Sequence, residues 1–189
     1  MNTIFEICIA CLVTGIAVWF DYRERRIPNY LVFTGMIAGL VIGMAGGGIK
    51  GLAWSALGIL AGIAILLVPF AMGGIGAGDV KLLGAIGAIL GAKGALFSML
   101  YGAIAGGLIS IIILARHGRL KLVLLSTLAW LAGFIGYVIP GGIGRSLRTF
   151  QHTRSLAYLP KSGLSIPYSV AIAIGLVVAV IADFQVIGL

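Results

Sequence analysis

Charged residues are scarce in this 189-residue sequence, making up only 10% of it, and only five of them are acidic. A soluble globular domain carries about 25% charged residues, so the composition excludes an ordinary soluble fold. Apolar residues make up 61% of the chain, and the mean hydropathy is +1.18. The 30 glycines suit helices that pack closely in lipid. We therefore expect an all-α polytopic membrane protein.

Cysteine and histidine are also rare, with two of each. Cys8 and Cys11 form a C-x-x-C inside an apolar run with no second pair, which favours two small apolar residues on one helix face. His117 and His152 lack acidic or cysteine neighbours in the sequence, so we expect no metal site. The phosphate-binding pattern G-x-x-x-x-G-K-[ST] does not occur, and we expect no cofactor.

Basic residues give the chain a net charge of +8, and they stand in short blocks between apolar runs. That distribution indicates contact with membrane lipid headgroups and a defined topology, and we expect no binding to nucleic acid. No basic region precedes the first apolar run, so we expect that run to remain as a helix and not to be a cleaved signal peptide.

Apolar segments predict about six transmembrane helices within one domain over 1–189. The segments are about 3–20, 30–45, 51–72, 80–91, 94–115 and 166–182. A seventh apolar run, 122–139, is ambiguous. If this run is interfacial or re-entrant and does not cross, 11 of the 13 basic residues lie on one side of the membrane, and only Lys50 and Lys93 lie on the other. The positive-inside rule favours this arrangement. A crossing by 122–139 remains the alternative.

Asp79 follows a run of glycines between two long apolar segments. An ionised carboxylate near hydrocarbon costs several kcal/mol, which favours a functional role. In the six-helix arrangement, Asp21 ends the first segment and Asp79 begins the fourth on the same side of the membrane. Two close carboxylates share a proton, so that one acts as a base and the other as an acid. This pattern predicts an aspartic protease.

A structural alternative is that both aspartates cap helices or pair with nearby basic residues such as Arg23 or Lys81. Glu24 lies one helical turn from Asp21 and is a competing candidate for the first carboxylate. Lys81 is also a candidate for tuning Asp79 through its charge, although its ammonium group is equally suited to reach lipid headgroups.

Two motifs resemble those of a known family. Gly76-Ala77-Gly78-Asp79 matches the Gly-x-Gly-Asp signature of the prepilin peptidases, the type IV leader peptidase family, and it continues as the typical sequence GDVKLL. Upstream, Asp21 is followed by Ile27-Pro28-Asn29, as in that family. A weaker match is Ile166-Pro167-Tyr168 before the last apolar segment. The resemblance covers nearly the whole chain.

The resemblance implies that Asp21 and Asp79 are the catalytic pair, supported by Gly76, Gly78 and Lys81. It also implies that the substrates are pilin-like precursors, cut on the cytoplasmic side of the inner membrane. The sequence lacks the N-terminal region with paired C-x-x-C motifs found in larger members, so it resembles the short, peptidase-only form of tight-adherence (Flp-type) or archaellin-type systems.

Two other functions remain open. One is a presenilin-like intramembrane protease, which shares the Gly-x-Gly-Asp arrangement but places its first aspartate inside a hydrophobic helix. The other is a small transporter or assembly scaffold without enzymatic activity.

Overall fold

A computed structural model describes residues 3–116, 118 and 168–187 of the chain. All regular secondary structure in these residues is helical, which confirms the all-α prediction for this part of the protein. The helices are α1 (Thr3–Glu24), α2 (Asn29–Ala71), α3 (Ala77–Arg116) and α4 (Tyr168–Ile187). The ambiguous run 122–139 lies outside the described residues.

Three of these helices, α1, α2 and α3, are long and apolar enough to cross a membrane, while α4 contributes a shorter apolar stretch, Tyr168–Ala182. Large apolar side chains cover the outer faces of the helices. Leu12, Ile37 and Leu60, for example, are each more than half exposed. Apolar surface of this extent is unfavourable in water and suits contact with lipid chains. The protein is therefore a helical membrane protein.

The prediction of about six separate transmembrane helices is wrong as a helix count for the described residues, which contain four helices, three of them long and apolar. The expected segments 30–45 and 51–72 are joined in α2, and 80–91 and 94–115 are joined in α3. The expected breaks near residues 46–50 and 91–94 are not loops. Within α2 only Gly48 leaves helical torsion angles (φ 58°, ψ −141°), and within α3 only Gly91 does (φ 75°, ψ 178°). Glycine adopts a positive φ without the steric penalty of other residues, so one residue is sufficient for each break.

The chain reverses direction at Gly48. The hydroxyl of Ser55 donates a hydrogen bond of 3.1 Å to the carbonyl of Gly39, sixteen residues earlier, a spacing that would span about 24 Å in a straight helix. Gly91 has the same effect in α3, since a Cβ added at Gly87 would lie 3.5 Å from the side chain of Ala95. Each long helix is therefore folded back on itself.

The first half of α3 is the most enclosed segment among the described residues. Every residue from Leu82 to Ile89 is buried, whereas a helix at a protein surface buries only one stripe. Glycines on neighbouring segments make this enclosure possible. Gly39 lies against Ala88, and Gly62 lies against the backbone of Leu83. Asp79 stands at the start of this enclosed segment.

The chain divides into two compact units, one formed by Met1–Gly107 with Ile166–Leu189 and the other by Leu108–Ser165. In the first unit, α1 packs against both α2 and α4. Its buried residues follow helical spacing: Ala10, Val13, Thr14 and Ala17. In the second unit, the described residues from Leu108 to Arg116 continue α3. The site described below lies entirely within the first unit.

Candidate active site

Asp21 lies in the last turn of α1, half-buried, three residues before the helix ends at Glu24. Arg25 then adopts a left-handed conformation with φ of 51°. Its N–H donates a hydrogen bond of 2.9 Å to the carbonyl of Asp21. A left-handed residue directly after a helix is a common way to end it. Asp21 is thereby held at a helix end, while Glu24, the competing candidate, is exposed.

Asp79 lies in the first turn of α3, and the glycine before that helix forms its cap. The carbonyl of Gly76 accepts hydrogen bonds from the N–H of Asp79 (3.2 Å) and of Val80 (3.4 Å). In return, the backbone N–H of Gly76 donates to the Asp79 carboxylate. The bond from Gly76 to the carboxylate is the half of a capping box that the third residue of a helix supplies, and a negative charge is favourable at this end of a helix. The Gly-x-Gly-Asp motif thus folds as a helix start that orients its own carboxylate.

The Asp79 side chain is buried, with 8% of its surface exposed. One of its oxygens, Oδ1, has no hydrogen-bond partner among the described residues. Buried polar atoms without partners are uncommon in folded proteins, and among the described residues the hydroxyls of Thr14 and Ser98 share this feature. The carboxyl group of Asp21 lies close enough to Asp79 for the two to interact electrostatically. The structure therefore brings together the two aspartates that the sequence singled out.

Two further contacts join the segment after Asp21 to the segment around Asp79. A Cβ added at Gly78 would lie 3.1 Å from Cβ of Ile27, so the two backbones approach closely there. Lys81 Nζ donates a hydrogen bond of 2.8 Å to Oδ1 of Asn29, and it lies 5.6 Å from the ring centre of Phe33. Both sequence motifs therefore contact each other directly, and Lys81 links them. A tuning effect of Lys81 on Asp79 stays a prediction.

Nearby basic side chains have other partners. The guanidinium of Arg23 lies 5.4 Å from the ring centre of Trp19, and Lys81 is bonded to Asn29. Within the described part of the chain, the alternative that the aspartates serve ion pairs with these residues finds no support. Its other half, a role in capping a helix, does apply to Asp79, which accepts the N–H of Gly76 in the first turn of α3. In the same residues, no three histidine, cysteine, aspartate or glutamate side chains form a group suited to a metal ion.

The sequence model of the type IV leader peptidase family matches residues 8–111, more than half of the chain, and this range contains both Asp21 and Asp79. The chain belongs to the type IV leader peptidase family. It is therefore a member of a family of membrane proteases, as its sequence motifs indicated. No curated protein and no solved structure shows significant similarity to it.

Helix α4 brings two more residues to the site, and both lie beyond the range 8–111 that the family model matches. The hydroxyl of Ser169 donates a hydrogen bond to Oδ2 of Asp21, and the Tyr168 hydroxyl lies close enough to Asp79 to interact electrostatically. Tyr168 belongs to the weak match at Ile166-Pro167-Tyr168, but the sequence assigned it no role. Nothing in the sequence pointed to Ser169, because a serine in an apolar helix has no distinguishing pattern.

Proposed function

We propose that this protein is an aspartic endopeptidase that removes the leader peptide from type IV pilin-like precursors on the cytoplasmic side of the membrane. The observation that carries the proposal is the pairing of Asp21 with a buried Asp79 that has one unpartnered oxygen among the described residues. Family membership supports a proteolytic reaction. The concentration of basic residues on the side of Asp21 and Asp79, expected from the positive-inside rule, supports the cytoplasmic side.

The proposed reaction needs only the two carboxyl groups and water. The ionised carboxylate accepts a proton from water as the water oxygen attacks the scissile carbonyl carbon, and the protonated partner donates its proton to the carbonyl oxygen. The resulting tetrahedral intermediate collapses when the C–N bond breaks, and the departing amine takes up the proton that came from water. Asp79 is suited to hold a proton because it is buried, and Asp21 is suited to contact water because it is half-exposed.

The position of Asp21 favours this proposal over a presenilin-like protease. Asp21 is followed within four residues by the end of α1 and the left-handed Arg25, and does not stand in the middle of an apolar helix. A site at a helix end suits a substrate that is cut next to its hydrophobic helix. Pilin-like precursors, which carry their leader directly before such a helix in this family, fit that requirement.

The test is cleavage of candidate precursors by purified protein in detergent, with sequencing of the new N-terminus. We expect Asp21→Asn and Asp79→Asn each to lower kcat by at least about a thousandfold, since asparagine can neither take a proton from water nor share one. Glu24→Gln is the matched control, because it removes an exposed carboxylate only three residues away, and it should keep most of the activity.

The pH dependence of the wild-type rate should be bell-shaped, because one carboxyl of the pair must be charged and the other protonated. Chelators should leave the rate unchanged. Wild-type activity in Asp79→Asn would refute the proposed function. Loss of activity in Glu24→Gln, together with full activity in Asp21→Asn, would assign the first carboxylate to Glu24.

A further inference from the structure

Ser169 is the second residue of α4, and its side chain is completely buried. Its hydroxyl donates a hydrogen bond to Oδ2 of Asp21, a residue 148 positions earlier in the sequence. Burial of a hydroxyl does not by itself produce such a bond in this protein. Ser98 and Thr14 are equally enclosed, yet neither hydroxyl has a partner among the described residues. The bond of Ser169 to Asp21 is therefore specific.

The first turn of α4 approaches both members of the aspartate pair. Tyr168 interacts electrostatically with Asp79, and Ser169 bonds directly to Asp21. The two aspartates thus have different surroundings. Asp21 receives a hydroxyl donor on Oδ2, whereas Oδ1 of Asp79 receives none from the described residues. The side chain of Asp79 is the more deeply buried of the two, and its donor is the backbone N–H of Gly76 and not a side chain.

We propose that Ser169 is a positioning residue, which fixes the orientation of the Asp21 carboxylate through their hydrogen bond. With Oδ2 bonded to the serine hydroxyl, Oδ1 is the oxygen that accepts the proton from the attacking water. Asp79 then carries the proton that passes to the scissile carbonyl. This inference rests on the proposed function and adds to it the assignment of the two roles and a third residue of the site.

The experiment compares Ser169→Ala with Ser98→Ala. Both variants remove one hydroxyl from a fully buried serine of the same structural unit, and alanine is well tolerated in helices. Initial rates of precursor cleavage over a range of substrate concentrations give kcat and KM separately. Circular dichroism and thermal unfolding in detergent report whether each variant keeps its fold.

We expect Ser169→Ala to lower kcat about 10- to 100-fold, the range that corresponds to loss of one hydrogen bond to a charged group. Its KM should stay within about twofold of wild type, because Ser169 bonds to Asp21 and not to the substrate. Ser98→Ala should match wild type in both constants. A merely structural role of Ser169 would lower the amount of folded enzyme and the unfolding temperature without this selective effect on kcat.

Three results would overturn the inference: a kcat of Ser169→Ala within about twofold of wild type, an equal loss in Ser98→Ala, or loss of helical structure in Ser169→Ala. The failure of the proposed function gives a different result. In that case Asp21→Asn and Asp79→Asn would cleave precursors like wild type, whereas failure of this inference alone leaves both aspartate variants inactive.

Discussion

The two glycines of the Gly-x-Gly-Asp motif differ in their surroundings, and this difference gives a sharp test of the site geometry. A Cβ at Gly78 would lie 3.1 Å from Cβ of Ile27 and 3.4 Å from two further atoms of that side chain. A Cβ added at Gly76 would lie 3.4 Å from Oδ2 of Asp79, which is an ordinary contact distance. Alanine therefore fits at position 76 but not, without movement, at position 78.

The size of the effect follows from the distances. Carbon atoms pack at about 3.5–4.0 Å, so the contact at 3.1 Å requires a shift of roughly half an ångström between the start of α3 and the segment of Ile27. A displacement of about 1 Å in a catalytic group costs on the order of a hundredfold in rate, so half of it corresponds to about tenfold. Gly78→Ala should therefore lower kcat about tenfold, and Gly76→Ala should stay within about threefold of wild type.

The assay is the same precursor cleavage, with kcat measured for both single variants at saturating substrate. Thermal unfolding of both proteins shows whether a lower rate reflects a shifted site or a smaller folded fraction. A greater loss in Gly76→Ala than in Gly78→Ala would refute the reasoning, because it would mean that contact with Ile27 is not what requires glycine at position 78.

Two other contacts give predictions. Asn29→Ala and Lys81→Met should each lower kcat/KM about three- to tenfold, because each removes the hydrogen bond between these residues. The double variant should lose no more activity than the worse single variant. Additive losses in the cleavage assay would contradict this. Gly39→Ala should lower the free energy of unfolding by about 1–3 kcal/mol, because its Cβ would lie 2.6 Å from the carbonyl carbon of Ala88. A Cβ added at Gly15 would have no atom within 4 Å, so Gly15→Ala should be neutral or stabilising in thermal unfolding. Equal stability of Gly39→Ala and Gly15→Ala would contradict the close contact between α2 and α3.

The sequence predicted the meeting of Asp21 and Asp79 because both clues are local. One is a carboxylate at the end of an apolar segment, and the other is a glycine-rich helix start. The extent of α1 was predicted to within a few residues, because the charged cluster from Asp21 onwards ends its apolar run. The places of the two breaks were predicted, but the helix count was wrong, since a single glycine, Gly48 or Gly91, makes each break and no loop separates the two segments.

Ser169 could not be predicted for a different physical reason. Its role depends on the packing of α4 against α1, which is a contact between segments far apart in the chain. Hydropathy identifies such a helix but not the direction in which one of its polar side chains points. The Asn29–Lys81 bond was missed on the same grounds, since each residue alone is equally suited to an exposed position.

The hydrogen bond from α4 to Asp21 has a consequence for biosynthesis. Residues 29–107, which contribute the folded-back helices of the first unit, emerge from the ribosome well before Tyr168 and Ser169. Contacts between segments close in sequence form quickly, so Asp79 is enclosed while translation is still in progress. Asp21 receives its hydroxyl donor only after α4 has been made and has packed against α1. If Ser169 positions Asp21 as proposed, we expect a nascent chain to reach full activity only once α4 is in place.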